Sequence, residues 1–250
     1  MVDLNAPIWG QVDSAGNDAD KWLRRLLNGE EEFREGMEVL AEDLSHQLSW
    51  YSATACVLPH LAALCKTLSP ADRMFLIAQM GPAAAAEADC PLEEGTELWR
   101  EFREGMTGLR AVTVDLLQNH MDTLEAASGE ERQMFALGAL SFLGDRKHAY
   151  ALWLLSGYCW EDGSAACACG WSDECLHFAD RQEYLKPAAI APWDGKSLED
   201  EAVWFSGLLS RFGEDMILPI LPLVYGEGVC PECGRREPFW AWHERFYQEY

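Results

Sequence analysis

The stretch from His46 to Cys65, HQLSWYSATACVLPHLAALC, constrains the fold of the chain more than any other. A polar His46-Gln47 step leads into a run in which Trp50, Tyr51, Thr54, Val57, Leu58, Leu61 and Leu64 recur at spacings of three and four, so that one helical face carries them all. Ser52, Ala53, Ala55, Ala62 and Ala63 add small side chains that let neighbouring helices approach closely. A helix of this kind has to be covered on most sides. It reads as an inner helix of a stacked all-α array, bent at Pro59, where a backbone donor is missing.

The flanking chain supplies helices to cover it. A first helix is predicted from about Asp18 to Leu27, with Trp22, Leu23 and Leu26 inward and Asn28-Gly29 as its stop. A second, from Glu30 to Leu44, carries Phe33, Met37, Leu40 and Leu44 on one face and acidic residues in its first turn, where the helix dipole favours them. Ser69 caps a third whose first residue is Pro70; Met74, Phe75, Leu76, Ile77 and Met80 make it apolar all round, and Gly81-Pro82 should end that run, with the alanines 83–86 either extending the helix or restarting one. From Glu93 a long helix places Leu98, Phe102, Met106, Leu109, Thr113 and Leu116 at helical spacing. Phe102 to Met106 reads FREGM, as does Phe33 to Met37, at an interval about twice the roughly 30–45-residue unit of helical repeats. A stacked repeat is the expectation. Ser128 and Glu131 then have the spacing of a capping box, opening a helix through Met134, Leu137, Leu140 and Leu143. Another runs from about Lys147 to Leu155.

The pattern changes after residue 158. We therefore expect helical repeats over 1–158, continued over 159–250 by further helical repeats into which a β-hairpin and a cysteine cluster are inserted. The alternating piece Cys175 to Tyr184 suits the hairpin. Helices are predicted at Leu198–Phe212 and Glu214–Tyr225, with Phe239, Trp242, Phe246 and Tyr250 marking a terminal one.

Nine cysteines is an odd number that a fully paired disulfide framework would not leave. Cys56, Cys65 and Cys90 sit in or beside helical patterns as small buried side chains. Cys230-Pro-Glu-Cys233-Gly234 is different. Two thiolates at this spacing can bind one tetrahedral metal, and the glycine lets backbone amides turn toward the sulfurs. Cys167-Ala-Cys169-Gly170 offers the second pair, although C-x-x-C is the commoner spacing, and Cys159, Cys175 or His177 remain alternative ligands. The reading is a structural zinc site of Cys167, Cys169, Cys230 and Cys233, clamping the hairpin to the C-terminal helices. A closed four-sulfur shell leaves no position for water or substrate.

Nineteen basic residues against 42 acidic ones give a formal charge of −23, a field that repels nucleic acid and anionic lipid. It serves solubility or steers in a basic partner. The longest apolar run, Met216 to Val224, is too short to span a membrane, and the N-terminus lacks the features of a signal peptide, so a cytoplasmic location is expected. Enzyme signatures are weak. Asp173, Cys175 and His177 alternate on one strand face without evident oxyanion donors, His46 reads as a turn residue, and His148 and His243 as solvated positions. Neither a phosphate-binding loop nor a dinucleotide fingerprint nor an H-E-x-x-H motif occurs. The expectation is a non-enzymatic protein.

Trp9, GNDAD at 16–20, Leu44-Ser-His46-Gln47, Tyr51-Ser-Ala-Thr54 and Leu58-Pro59-His-Leu61 together resemble the N-terminal part of a bacterial group of HEAT-like repeat proteins. The likeness extends over most of the chain, with a zinc-knuckle insert and a short β-element before a tryptophan, here Trp193. The resemblance implies a right-handed α-α superhelix of the HEAT or armadillo kind that binds other proteins. Some relatives look like immunity proteins, which here would imply neutralisation of a basic toxin such as a nuclease; a metal-dependent enzyme is the remaining alternative.

Overall fold

The structure, a computed structural model, describes residues 1–86, 92–158, 162–177, 183–191 and 198–249. After a short 3-10 turn at Pro7–Gly10 come α1 (Ala19–Asn28) and α2 (Phe33–Ser45), a second 3-10 turn at His46–Leu48, then α3 (Ala53–Leu64), α4 (Pro70–Ala85), α5 (Glu97–Asn119), α6 (Met121–Ala126), α7 (Gly129–Leu143) and α8 (Arg146–Tyr158). The rest comprises β1 (Asp162–Ala166), β2 (Ser172–His177), β3 (Leu185–Lys186), α9 (Glu201–Phe212), α10 (Leu221–Val224), β4 (Glu227–Val229), β5 (Arg236–Pro238) and α11 (Phe239–Glu249). The chain is therefore mainly helical, as expected, and its described residues form two small antiparallel sheets where a single hairpin was expected. It forms two compact units, Met1–Arg146 and Lys147–Tyr250. Among the described residues, no helix is long and apolar enough to cross a membrane.

In Met1–Arg146 the helices lie in two rows. α3 packs against α1 and α5, while α4 packs against α2 and α7; α1 meets α2, and α4 and α7 each meet α5. Successive long helices thus alternate between a row α1, α3, α5 and a row α2, α4, α7, with the short α6 beside α4 and α5. Within each row the backbones come very close. A Cβ on Gly105 of α5 would lie 2.4 Å from the Leu58 Cβ of α3, and one on Gly138 of α7 would lie 2.4 Å from the Ile77 carbonyl oxygen of α4. Glycine is required at both crossings. Around them Leu58, Leu61, Leu76, Ile77, Phe102, Leu109, Phe135 and Leu137 are fully buried and form the core.

Some expectations need correction. The central helix starts at Ala53, so Trp50 and Tyr51 precede it. The reason is the N-terminal loop, whose Asp13 carbonyl takes the Ala53 N–H at 3.0 Å and whose side chain takes the Ser52 N–H at 2.9 Å, supplying a cap from outside the local sequence. Gly81-Pro82 does not stop α4, which continues to Ala85. Burial of Met80, Ala83, Ala84 and Ala85 among neighbouring helices outweighs the one backbone bond that Pro82 removes. The two FREGM segments do not occupy equivalent places: Phe33 begins α2 in one row, whereas Phe102 lies in α5 in the other. From Glu214 to Ile220 the chain turns instead of forming a helix, because the buried Glu214 carboxylate accepts from the N–H groups of Met216 at 2.9 Å and Ile217 at 2.7 Å.

Polar groups buried in this unit are used for tethering. His60 on α3 is 2.9 Å from the Val2 carbonyl through Nε2, which must carry the proton because a carbonyl only accepts. The Asp43 carboxylate on α2 gathers the GNDAD loop, accepting from the Ser14 hydroxyl at 2.7 Å, from the Gly16 N–H, and from the Asp18 N–H at 3.3 Å.

Candidate metal centre

In Lys147–Tyr250 both cysteine pairs lie at the tips of hairpins. β1 and β2 pair antiparallel with Asp162 opposite His177 and Ala166 opposite Ser172, leaving Cys167–Trp171 as the tip. β4 and β5 pair with Glu227 opposite Pro238 and Val229 opposite Arg236, leaving Cys230–Arg235 as the other; β3 extends this sheet, with Leu185 opposite Gly228. The hairpin lies earlier than the predicted Cys175–Tyr184, and of that range residues 178–182 lie outside the described residues.

The two tips share one hydrogen-bonding plan. The N–H of the first cysteine donates to the carbonyl of the residue after the glycine, Cys167 to Trp171 at 2.8 Å and Cys230 to Arg235 at 2.9 Å. The glycine N–H donates back to the first cysteine's carbonyl, Gly170 to Cys167 and Gly234 to Cys230, both at 2.9 Å. Each glycine has a positive φ, 94° at Gly170 and 69° at Gly234, a region that side chains disfavour. C-x-C and C-x-x-C are therefore the same tip with one residue fewer or more. The unusual spacing at Cys167 is no obstacle to ligation.

The tips converge on one point. The sulfurs of Cys167, Cys169, Cys230 and Cys233 all lie within 4.8 Å of one another. Two close pairs each join one hairpin to the other: Cys167 to Cys233 at 3.7 Å and Cys169 to Cys230 at 3.6 Å. Bonds of about 2.3 Å from a central zinc to four sulfurs give a tetrahedron with edges of about 3.8 Å. The four thiols could hold a metal ion.

Local electrostatics favour ionising one thiol of this set, Cys230, and hold Cys167 and Cys169 up. Burial pushes the Cys230 thiol up, but the amides of Cys233 and Glu232 and the thiols of Cys169 and Cys233 outweigh it and bring it down to about 7. Burial holds Cys167 up at about 12 against the pull of the Cys169 amide. Cys169 is also held above its ordinary value: the Trp171 amide pulls it down, but burial and the neighbouring thiols outweigh that pull. One thiol is thus ready to ionise near neutrality, and a bound cation would drive off the remaining protons. Cys56 and Cys65, buried in Met1–Arg146, are pushed up to about 12 by burial and are inert by comparison.

Helix α11 braces both hairpins. His243 Nδ1 donates to the Ser164 carbonyl at 2.8 Å, and Arg245 Nη1 donates to the Ala166 carbonyl at 2.8 Å, so alternate carbonyls of β1 are satisfied from the helix. The same Arg245 nitrogen reaches Glu237 on β5 at 2.9 Å. Trp242, fully buried, packs on Gly228 of β4 and lies 5.2 Å from the Trp171 ring beside the first tip. Sequence reasoning missed His243 and Arg245. The signal for His243 was its place four residues after Phe239 and three before Phe246, on the inward face of the helix; it is 1% exposed, not solvated.

Of the other candidate ligands, Cys159 lies outside the described residues, as do Cys90, Trp193 and Tyr250. Asp173, Cys175 and His177 belong to β2, but the side chains of Cys175 and His177 are outside the described part. His148 also departs from the solvated reading. It is partly buried, with Nδ1 2.8 Å from Glu201, whose carboxylate also accepts from the Tyr225 hydroxyl. His46 is exposed and paired with Glu42 one turn before it.

Comparisons with protein families, curated proteins and solved structures return no match.

Proposed function

We propose that the chain is a non-enzymatic scaffold that binds another protein through its helical unit and carries one structural zinc ion in its C-terminal unit. The observation that carries this reading is the alternation of α1, α3 and α5 with α2, α4 and α7. Stacked rows of this kind are the architecture of HEAT-like solenoids, in which neighbouring units build extended surfaces suited to protein recognition. Zinc suits four thiolates in tetrahedral array, and a shell completed by protein ligands has no coordination position left for a substrate. The ion's role is then to weld two short hairpins, neither of which could persist alone.

A second reading is an inhibitor or immunity protein for a basic toxin, favoured by the formal charge of −23. A cytoplasmic setting agrees with thiols kept reduced for metal binding. The test is affinity capture with the full chain from its native host, followed by hydrogen exchange on the purified complex. A protein bound at one-to-one stoichiometry, protecting amides of the helical rows, supports the scaffold. Metal-dependent turnover of a small substrate by the purified chain contradicts it.

A further inference from the structure

Two hollows open on the unit Met1–Arg146 and share Glu38 and Gln79 as a common wall. One, of about 460 Å³, is floored by Met74, Phe75 and Met134, with Glu130 and Glu131 on its rim. The other, of about 680 Å³, is lined by Trp22 and Val39 together with Asp18 and Glu42. Val39, in the wall of this second hollow, is 42% exposed, a large apolar side chain left in water. Arg34 is the one cation among the lining residues of either hollow. Its guanidinium lies over the Phe75 ring at 4.9 Å, 2.7 Å from Glu131 and 3.7 Å from Asp72. The groove thus already holds one cation on an aromatic face between carboxylates. Glu38 and Glu130 have no such partner among the described residues.

We propose that this groove along α2 and α4 docks a cationic segment of a partner protein, Lys/Arg-rich with apolar side chains between the charges. The proposal rests on the scaffold reading and adds a place and a chemistry to it. Long basic side chains would pair with Glu38 and Glu130, and apolar ones would cover Val39, Phe75 and Met134. A second copy of this chain is disfavoured as occupant, since each copy carries −23. Nucleic acid meets the same repulsion.

The test uses the full chain and three fluorescein-labelled dodecapeptides, of alternating Lys and Leu, Lys and Ser, and Glu and Leu, with binding read by anisotropy. The Lys/Leu peptide should bind, about tenfold or more weakly at 0.15 M than at 0.01 M ionic strength, because the Debye length shrinks from about 30 Å to about 8 Å. The Lys/Ser peptide should bind at least about tenfold more weakly than Lys/Leu, and Glu/Leu should not bind. E38K should weaken Lys/Leu binding at least about tenfold and V39S about threefold. E94K, an exposed reversal outside the groove, should change it less than about twofold. Both positions 38 and 39 are solvent-exposed, so folding is preserved, and thermal melts of each variant verify this. Equal losses from E38K and E94K, or equal binding of Lys/Leu and Lys/Ser, would reduce the groove to a diffuse acidic field and overturn the proposal. A captured protein partner that protects other helices would overturn the groove and leave the scaffold standing; capture of no protein partner would overturn both.

Discussion

Asp13 and Ser52, 39 residues apart, hold each other at the start of α3: the carboxylate accepts from the Ser52 N–H at 2.9 Å and from its hydroxyl, and the Ser52 oxygen accepts from the Asp13 N–H at 2.9 Å. The N-terminal loop thereby caps the helix at the centre of the fold. Hydrogen bonds from the Ser52 side chain and backbone hold the Asp13 carboxyl below its ordinary value. Its contribution to stability is therefore complete above the unfolded pKa, about 3.9, and is lost as pH falls through the lower folded value. Asp13→Ala should cost about 1 kcal/mol at pH 7, in the range of lost helix caps. The difference between the two proteins in urea titrations should close toward pH 2; a gap independent of pH would contradict the assignment.

His60 predicts a second pH window. Burial pulls its imidazole below the ordinary value, against the opposing effect of the Val2 carbonyl. An unfolded chain binds this proton more readily than the folded one, so the stability from neutral His60 is present above about pH 6.5 and declines as pH falls below it. Chemical denaturation of the wild type should weaken between pH 7.5 and 5.5. His60→Gln, which keeps a donor for Val2, should flatten that slope.

The row packing predicts opposite signs for two glycine replacements. Gly105→Ala puts a methyl 2.4 Å from the Leu58 Cβ and should destabilise by about 1–3 kcal/mol through overpacking. Gly129→Ala, at the open first turn of α7 with nothing within 4 Å, should stabilise by roughly 0.4–1 kcal/mol by restricting the unfolded chain. Equilibrium unfolding of the two variants is the check. A neutral Gly105→Ala would mean that α3 and α5 do not cross as described.

The features legible in the sequence were those written in adjacent residues. Ser69 with Pro70, the Ser128–Glu131 capping box and the Asn28-Gly29 stop all stand where local chemistry placed them. The cysteine quartet was legible because CPECG and CACG each carry their turn glycine. What depended on distant chain was not. α3 begins at Ala53 because Asp13 reaches it, and α4 runs through Pro82 because the neighbouring helices bury the alanines beyond it. The FREGM identity misled because a short match says nothing about the row to which a helix belongs. The two hairpins were missed at their true positions because strands of three to six residues give almost no alternation to read.

Arg245 should act on the metal without touching it. By joining the Ala166 carbonyl, one residue before Cys167, to Glu237 on β5, it holds the two tips in register. Arg245→Met keeps the apolar stem and removes both bonds. Zinc affinity, measured by chelator competition, should fall about 10–100-fold, as is usual when the groups that orient ligands are lost. Unchanged affinity would assign the tip geometry to the hairpins alone.

Two hairpin tips are proposed to make one tetrahedral zinc site from four thiolates. Protein purified without chelator should carry about one zinc per chain. X-ray absorption at the zinc edge reads the ligand shell directly. The spectrum should show four sulfurs at about 2.3 Å and no nitrogen or oxygen scatterer. A first shell containing nitrogen or oxygen, or fewer than four sulfurs, would contradict it.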